Sequence, residues 1–122
     1  MTGLRAILGL LLLGLAACGG DGSQCTEPAD AGAFAGGSCN FTQSNVAGCY
    51  EFADSVSAVA GPGTCTGVHS TYQSHVACSS CGRTGGCRFT LSGVTETTWF
   101  YGVSSDQVRA GCAQAGQTYV AP

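Results

Sequence analysis

The chain has 122 residues, among them nine cysteines and twenty glycines, and its four cations against seven carboxylates give a net charge of −3. Lysine is absent and the arginines do not cluster, so no basic stripe is available for phosphates, and nucleic acid is set aside as a partner. With charged residues at 9% and few large apolar side chains, this length makes one small domain at most, of the exported kind that depends on disulfides.

In chain order, the first element is MTGLRAILGLLLLGLAACGG, which has one early cation (Arg5), an unbroken apolar run from Ala6 to Ala17, and then Cys18. The run is shorter than the roughly 20 apolar residues that cross a bilayer, and it reads as a signal peptide over residues 1–17. Leu15, Ala16 and Ala17 before Cys18 resemble the lipobox of bacterial lipoproteins. That resemblance implies diacylglycerol on the Cys18 sulfur, cleavage before Cys18, and acylation of the new amino terminus. The membrane then becomes a partner through the lipid anchor. Cysteine parity agrees, because lipidation of Cys18 leaves eight, Cys25, Cys39, Cys49, Cys65, Cys78, Cys81, Cys87 and Cys112, which can close four disulfides. Gly19 in place of an aspartate points to the outer membrane, on its periplasmic face or at the cell surface.

Residues 18–37 are small and polar apart from Phe34, and read as a tether with Cys25 pinning its middle. From there a motif occurs twice. CNFTQSNV at 39–46 returns as CRFTLSGV at 87–94, and at an offset of 48 Cys39, Phe41, Thr42, Ser44, Val46 and Phe52 fall on Cys87, Phe89, Thr90, Ser92, Val94 and Phe100. Past a one-residue deletion, Cys65, Thr71 and Tyr72 fall on Cys112, Thr118 and Tyr119. The expectation is an α+β, disulfide-rich domain over 38–122, made of two tandem β-β-α-β repeats (about 38–76 and 85–122) joined by a linker at 77–84.

The second copy is the more legible. Arg88 to Ser92 alternates, Ser92-Gly93 is a turn pair, and Thr95 to Tyr101 is rich in threonine and aromatics, which predicts a hairpin. Ser104 or Ser105 offers a helix N-cap, Asp106 suits the first turn, Val108 and Cys112 share a helical face, and Gly116 ends the helix before a strand over 117–120. In the first copy, a helix from about Asp54 or Ser55 is expected to break at Gly61-Pro62-Gly63. The repeat's symmetry favours disulfides Cys39–Cys65 and Cys87–Cys112. It offers no counterpart for Cys49 or Cys81.

Three constellations could carry chemistry. HSTYQSHVACSSCG brings His69, His75, Cys78 and Cys81 within thirteen residues, a zinc-like set, but the second spacing is loose and an exported chain favours disulfides. Cys78-Ser79-Ser80-Cys81 could act as a redox pair, although a glycine-rich loop follows where a redox motif has a helix. Trp99, Phe100 and Tyr101 lie on one strand, so one side is expected to pack in the core and the other, with Trp99 and Tyr101 as the candidates, could form a carbohydrate or partner surface. No nucleophile elbow is present, and no cofactor or metal is expected.

The TTWFYG and VRAGCAQAGQTYV segments, with the cysteine pattern from about Cys49 onwards, are similar to small cysteine-rich lipoproteins of bacterial envelopes, a resemblance that implies no activity. The expectation is therefore a non-enzymatic structural or binding module in the envelope, with a protein or glycan partner. The alternatives are a disulfide-rich inhibitor or ligand-binding protein, or a redox or zinc protein using Cys78 and Cys81.

Overall fold

The computed structural model describes residues 34–122. The signal peptide, Cys18 and Cys25 lie outside the described residues.

Nine elements follow one another: β1 (Gly37–Gln43), β2 (Val46–Phe52), α1 (Ser55–Ala58), α2 (Gly61–Thr64), β3 (Thr71–Ser74), β4 (Arg83–Leu91), β5 (Val94–Tyr101), α3 (Ser105–Gln114) and β6 (Thr118–Val120). The strands form one antiparallel sheet in the order β3-β1-β2-β5-β4-β6. The molecule is thus a small disulfide-rich domain built on six strands with few helical residues. β1 opens at the last residue of the expected tether, and β4 opens inside the expected linker. His75 N donates to Gly36 O at 3.0 Å, so the entry to the sheet already belongs to the domain.

The two central hairpins arise from local chemistry. Ser92 and Gly93 both take positive φ (51° and 82°), the twist that a two-residue hairpin turn needs, and Gly93 adopts it without strain. Ser44 and Asn45 make the matching turn between β1 and β2 at 49° and 64°. There asparagine tolerates the left-handed region because its short polar side chain can bond locally.

Helix α3 follows from its sequence. Ser104 caps it by accepting from Gln107 N at 3.2 Å, and Ser104 N donates back to Gln107 Oε1 at 3.1 Å, a reciprocal capping box. Asp106 lies in the first turn, where the helix dipole favours an acid, and Gly116 continues past the C-terminus at φ 68°. The first half departs from the expected single helix. Asp54 caps α1 through Ser57 N at 2.7 Å, but α1 lasts four residues, and Gly61-Pro62-Gly63 begins the equally short α2 instead of ending a longer helix. Proline is well placed there, since the first turn of a helix has no partner for its missing N–H.

Cross-strand register assigns the side chains to two faces. One transverse row reads Tyr72, Cys39, Tyr50, Thr98, Cys87, Tyr119, all on one face. Cys39 and Cys87 bond from this face to Cys65, just past α2, and to Cys112 of α3, and Ser57 of α1 accepts from Thr95 N of β5, so the helices cover it. These are the two pairings that the doubled motif favours, across separations of 26 and 25 residues. Phe52 and Cys39 are fully buried beneath the helices, as is Cys112 within α3.

The opposite face is crossed by residues 75–82, the strap between β3 and β4. Cys78 bonds to Cys49 of β2, Cys78 N donates to Glu51 Oε2 at 2.9 Å, and the Tyr101 hydroxyl donates to Ser79 O at 2.6 Å. Under the strap, Cys49, Cys78 and Trp99 form a buried cluster with Tyr101 and Val120 against it. The sheet is therefore covered by helices on one side and by a disulfide-bound strap on the other.

Candidate functional site

An apolar groove of about 380 Å³ lies on the helical face, between α3 and the central strands. Val46 at the start of β2 and Phe100 of β5 form its floor, and Val103, Val108 and Gly111 form its wall, with Gln107 supplying an amide at the rim. α3 faces it with Gly111, where an added Cβ would meet nothing within 4 Å. Gly111 has no side chain to fill the space beside the helix, while Cys112 next to it ties the helix to β4. None of its lining side chains carries a charge, so what the groove can do is desolvate an apolar group and offer amide hydrogen bonds.

The sequence-predicted candidates lie elsewhere, and several are corrected. Trp99 is core: it is 4% exposed beneath the strap, and the Arg83 guanidinium stands over its ring at 4.0 Å, so it presents no binding surface. Burial of this aromatic follows from alternation, because Trp99 lies opposite Cys49, on the face that the Cys49–Cys78 bridge closes. Tyr101 is half-buried, its hydroxyl engaged by the strap. Phe100, on the other face, is the partly exposed aromatic and lines the groove.

Cys78 and Cys81 are not a thiol pair. Cys78 bonds to Cys49, and Cys81 is disulfide-bonded too. His69 and His75 are exposed, and His75 Nδ1 lies 3.1 Å from Phe34 O. With both sulfurs committed, the four residues do not assemble into a ligand set, and among the described residues no cluster of three or more His, Cys, Asp or Glu could hold a metal ion.

One titratable group stands out on the helical face. Glu96 of β5 is 7% exposed and lies between Phe52 and Phe89 in register, and burial pushes its carboxyl above the usual range. Burial also raises the Tyr50 phenol, with the Glu96 charge adding to it. Asp54 moves the other way, its carboxylate lowered by the hydrogen bonds from Ser57 at the α1 cap.

The groove was not legible in the sequence, since its residues come from β2, β4, β5, α3 and the loops flanking α3. Gly111, a helix-interior glycine beside Cys112, was the one available signal: a residue costly to helix formation suggests a wall that must stay thin. Comparison of the chain with family models, curated proteins and solved structures found no match.

Proposed function

We propose that this chain is a lipid-anchored envelope protein, held at Cys18, whose domain serves as a non-enzymatic structural or binding module made of two copies of one supersecondary unit. The observation that carries this reading is the state of the cysteines. All seven described ones are in disulfides, and such bonds form and persist in oxidising compartments, so the domain belongs outside the cytoplasm. An odd total of nine then requires one sulfur with another fate, and Cys18 follows Leu15-Ala16-Ala17. No helix among the described residues is long and apolar enough to cross a membrane. The absence of aspartate at Gly19 supports the outer membrane.

The test is the intact mass and the membrane partition of the natively expressed protein. Lipidated Cys18 adds a diacylglycerol and an acyl chain, and Cys18→Ala is expected to move the protein entirely into the wash. A Cys18→Ala variant that stays with the membrane sinks the anchor.

The doubled architecture is supported by register. Cys39 faces Tyr50 and Tyr72, while 48 positions later Cys87 faces Thr98 and Tyr119. The strand order 3-1-2-5-4-6 reads the same from either edge when β1, β2 and β3 are exchanged for β4, β5 and β6. Tyr50 and Thr98, themselves 48 apart, pair with each other, which is where a two-fold axis relating the halves would pass. If the halves share one core, a fragment of residues 83–122 with its own disulfide is expected to melt without cooperativity, and a sharp transition would refute that.

A second reading, a ligand-binding module, is favoured by the groove beside α3. An apolar fluorescent probe should bind the native protein, and Gly111→Leu, whose side chain enters open space, should reduce that binding several-fold without lowering thermal stability. Unchanged probe binding would remove the groove from consideration.

A further inference from the structure

The rim of the groove beside α3 has a fixed polarity. Gln107 Oε1 accepts from Ser104 N and from Ser104 Oγ, each at 3.1 Å, while Gln107 N donates to Ser104 Oγ at 3.2 Å. A backbone N–H can only donate, so the capping box decides which end of this amide faces Ser104: the oxygen is taken, and Nε2, a donor only, is the end left for a ligand. The geometry points to a neutral acyl ester as the ligand of the groove, its chain against Val46, Phe100 and Val108 and its carbonyl oxygen accepting from Gln107 Nε2. This assignment rests on the ligand-binding reading of the groove and names the chemistry of what it takes.

The lining is ordered along the helix. Gln107, Gly111 and Ala115 are four residues apart and fall in one stripe, which spans about 12 Å at about 1.5 Å per residue. Its polar end comes first, in the opening turn of α3, and beyond Gln107 the stripe offers only a hydrogen and a methyl group. A chain laid along it places its acceptor at Gln107 and its apolar part over Gly111, where an added Cβ would meet nothing within 4 Å. Gln117, half-buried past the helix C-terminus, supplies the other side-chain amide of the lining and can turn either end to a ligand.

Charge disfavours the corresponding acid. No lining side chain is charged, Asp106 beside Gln107 is itself an acid, and Arg109, the cation of α3, stands over the Tyr119 ring at 4.7 Å. A fatty carboxylate would be desolvated there without a counter-ion, a far larger cost than burying an ester. A peptide is disfavoured by its N–H groups. The groove opens on a face of the sheet, where the strands already pair with one another, so a backbone laid there finds no ladder and buries donors without partners. An ester carries acceptors and no donors, which is what a rim held in the donor sense by Ser104 can satisfy.

The experiment is displacement of an apolar fluorescent probe from the full-length, oxidised chain carrying Cys18→Ala, without detergent, which would compete for the groove, and with side-chain amide NMR signals followed in parallel. The competitors are hexane, methyl hexanoate, hexanoate and N-acetyl-leucinamide. Methyl hexanoate should act at a several-fold lower concentration than hexane or hexanoate and should shift the Gln107 side-chain NH₂ signals, which hexane leaves in place. Equal potency of ester and hexane, or of ester and hexanoate at neutral pH, overturns the assignment; N-acetyl-leucinamide binding as tightly as the ester overturns it in favour of an apolar peptide. Gln107→Glu keeps an oxygen for Ser104 N–H and adds an acid to the first turn, so the melting temperature should hold while the ester loses its advantage over hexane. An advantage that survives this change overturns the role of Gln107. Gly111→Leu separates the two levels of the claim. Hexane binding unchanged by that variant removes the groove altogether, whereas binding lost in Gly111→Leu, with ester and hexane equal in the unaltered groove, removes the ester alone.

Discussion

Phe52 and Phe100 occupy matching places, each on the helical face of a central strand and 48 positions apart, yet Phe52 is fully buried and Phe100 is half-exposed in the groove. The difference lies in what covers them. In the first half, α1 lies across β2 and reaches β5, where Ser57 Oγ accepts from Thr95 N at 2.9 Å, and Tyr72 meets Phe52 edge-on at 6.4 Å between ring centres while its hydroxyl bonds Ala58 O. In the second half, α3 is one longer helix drawn outward over β4 and β6 by the Cys87–Cys112 bond. Two short helices can drape over a sheet, whereas one straight helix bridges it and leaves space at one flank. The first half thus closes over its phenylalanine, and the second leaves its own at the opening.

That contrast is broken most directly by truncation. Phe52→Ala should cost about 3–5 kcal/mol, because a fully buried ring leaves a cavity that the bonded helices cannot collapse to fill. Phe100→Ala should cost less than half of that, since the groove already exposes the ring to water. Urea melts of the two variants decide it, and equal losses would mean that the groove is closed in solution.

The disulfides sharpen the same comparison. Cys39–Cys65 and Cys87–Cys112 close loops of 26 and 25 residues, so the chain-entropy contribution is nearly equal, about 3.5 kcal/mol each. Any difference between the double-serine variants therefore reports packing. Cys112 is fully buried and Cys65 is not, so Cys87→Ser/Cys112→Ser should be the more destabilised of the two in a denaturant titration. The reverse order would show that α2, not α3, depends more on its staple.

These halves were unequally legible. Ser92-Gly93, the alternation in β4, Ser104 and Gly116 each act within a few residues, and the hairpin and α3 appear where the sequence places them. The two symmetric disulfides were readable because the motif repeats. The partner of Cys49 was not, since nothing local records that the strap crosses the far face. Which side of the aromatic strand is core was missed for the same reason, since Trp99 alternates correctly but onto a face that the strap buries. The paired short helices escaped because proline can open a helix as well as end one, and position 62 alone does not decide which.

A smaller effect separates the helix caps. Ser104→Ala removes an acceptor from a ten-residue helix with a full capping box and should cost about 1 kcal/mol. Asp54 caps only four residues, so its contribution should show mainly as pH dependence. Its carboxylate is lowered in the folded state, so the cap is fully present above the usual carboxylate range and is lost as pH falls through the depressed value. Thermal melts of Ser104→Ala and Asp54→Asn at neutral and acid pH test both. An Asp54→Asn deficit that persisted unchanged at acid pH would contradict the charge-based part.

The least effect is expected at the pair Gly48 and Glu96, which are also 48 apart. Gly48 has no side chain, and the Phe41 ring occupies its place, stacked on Tyr50 at 4.5 Å between centroids; a Cβ there would overlap that ring. In the second half the corresponding position holds Glu96, opposite Phe89, and burial raises its carboxyl. A raised folded value means that the group's contribution is fully present below the usual carboxylate range and is lost as pH rises through the raised value, where a charge must be held among aromatic rings. Glu96→Gln should therefore melt above the wild type at neutral pH, with the gap closing as the pH falls towards about 4, where glutamate in an unfolded chain titrates. Melting temperatures that stay equal across that range would show that water reaches the carboxylate, and that the helical face is open at Glu96 as well as beside α3.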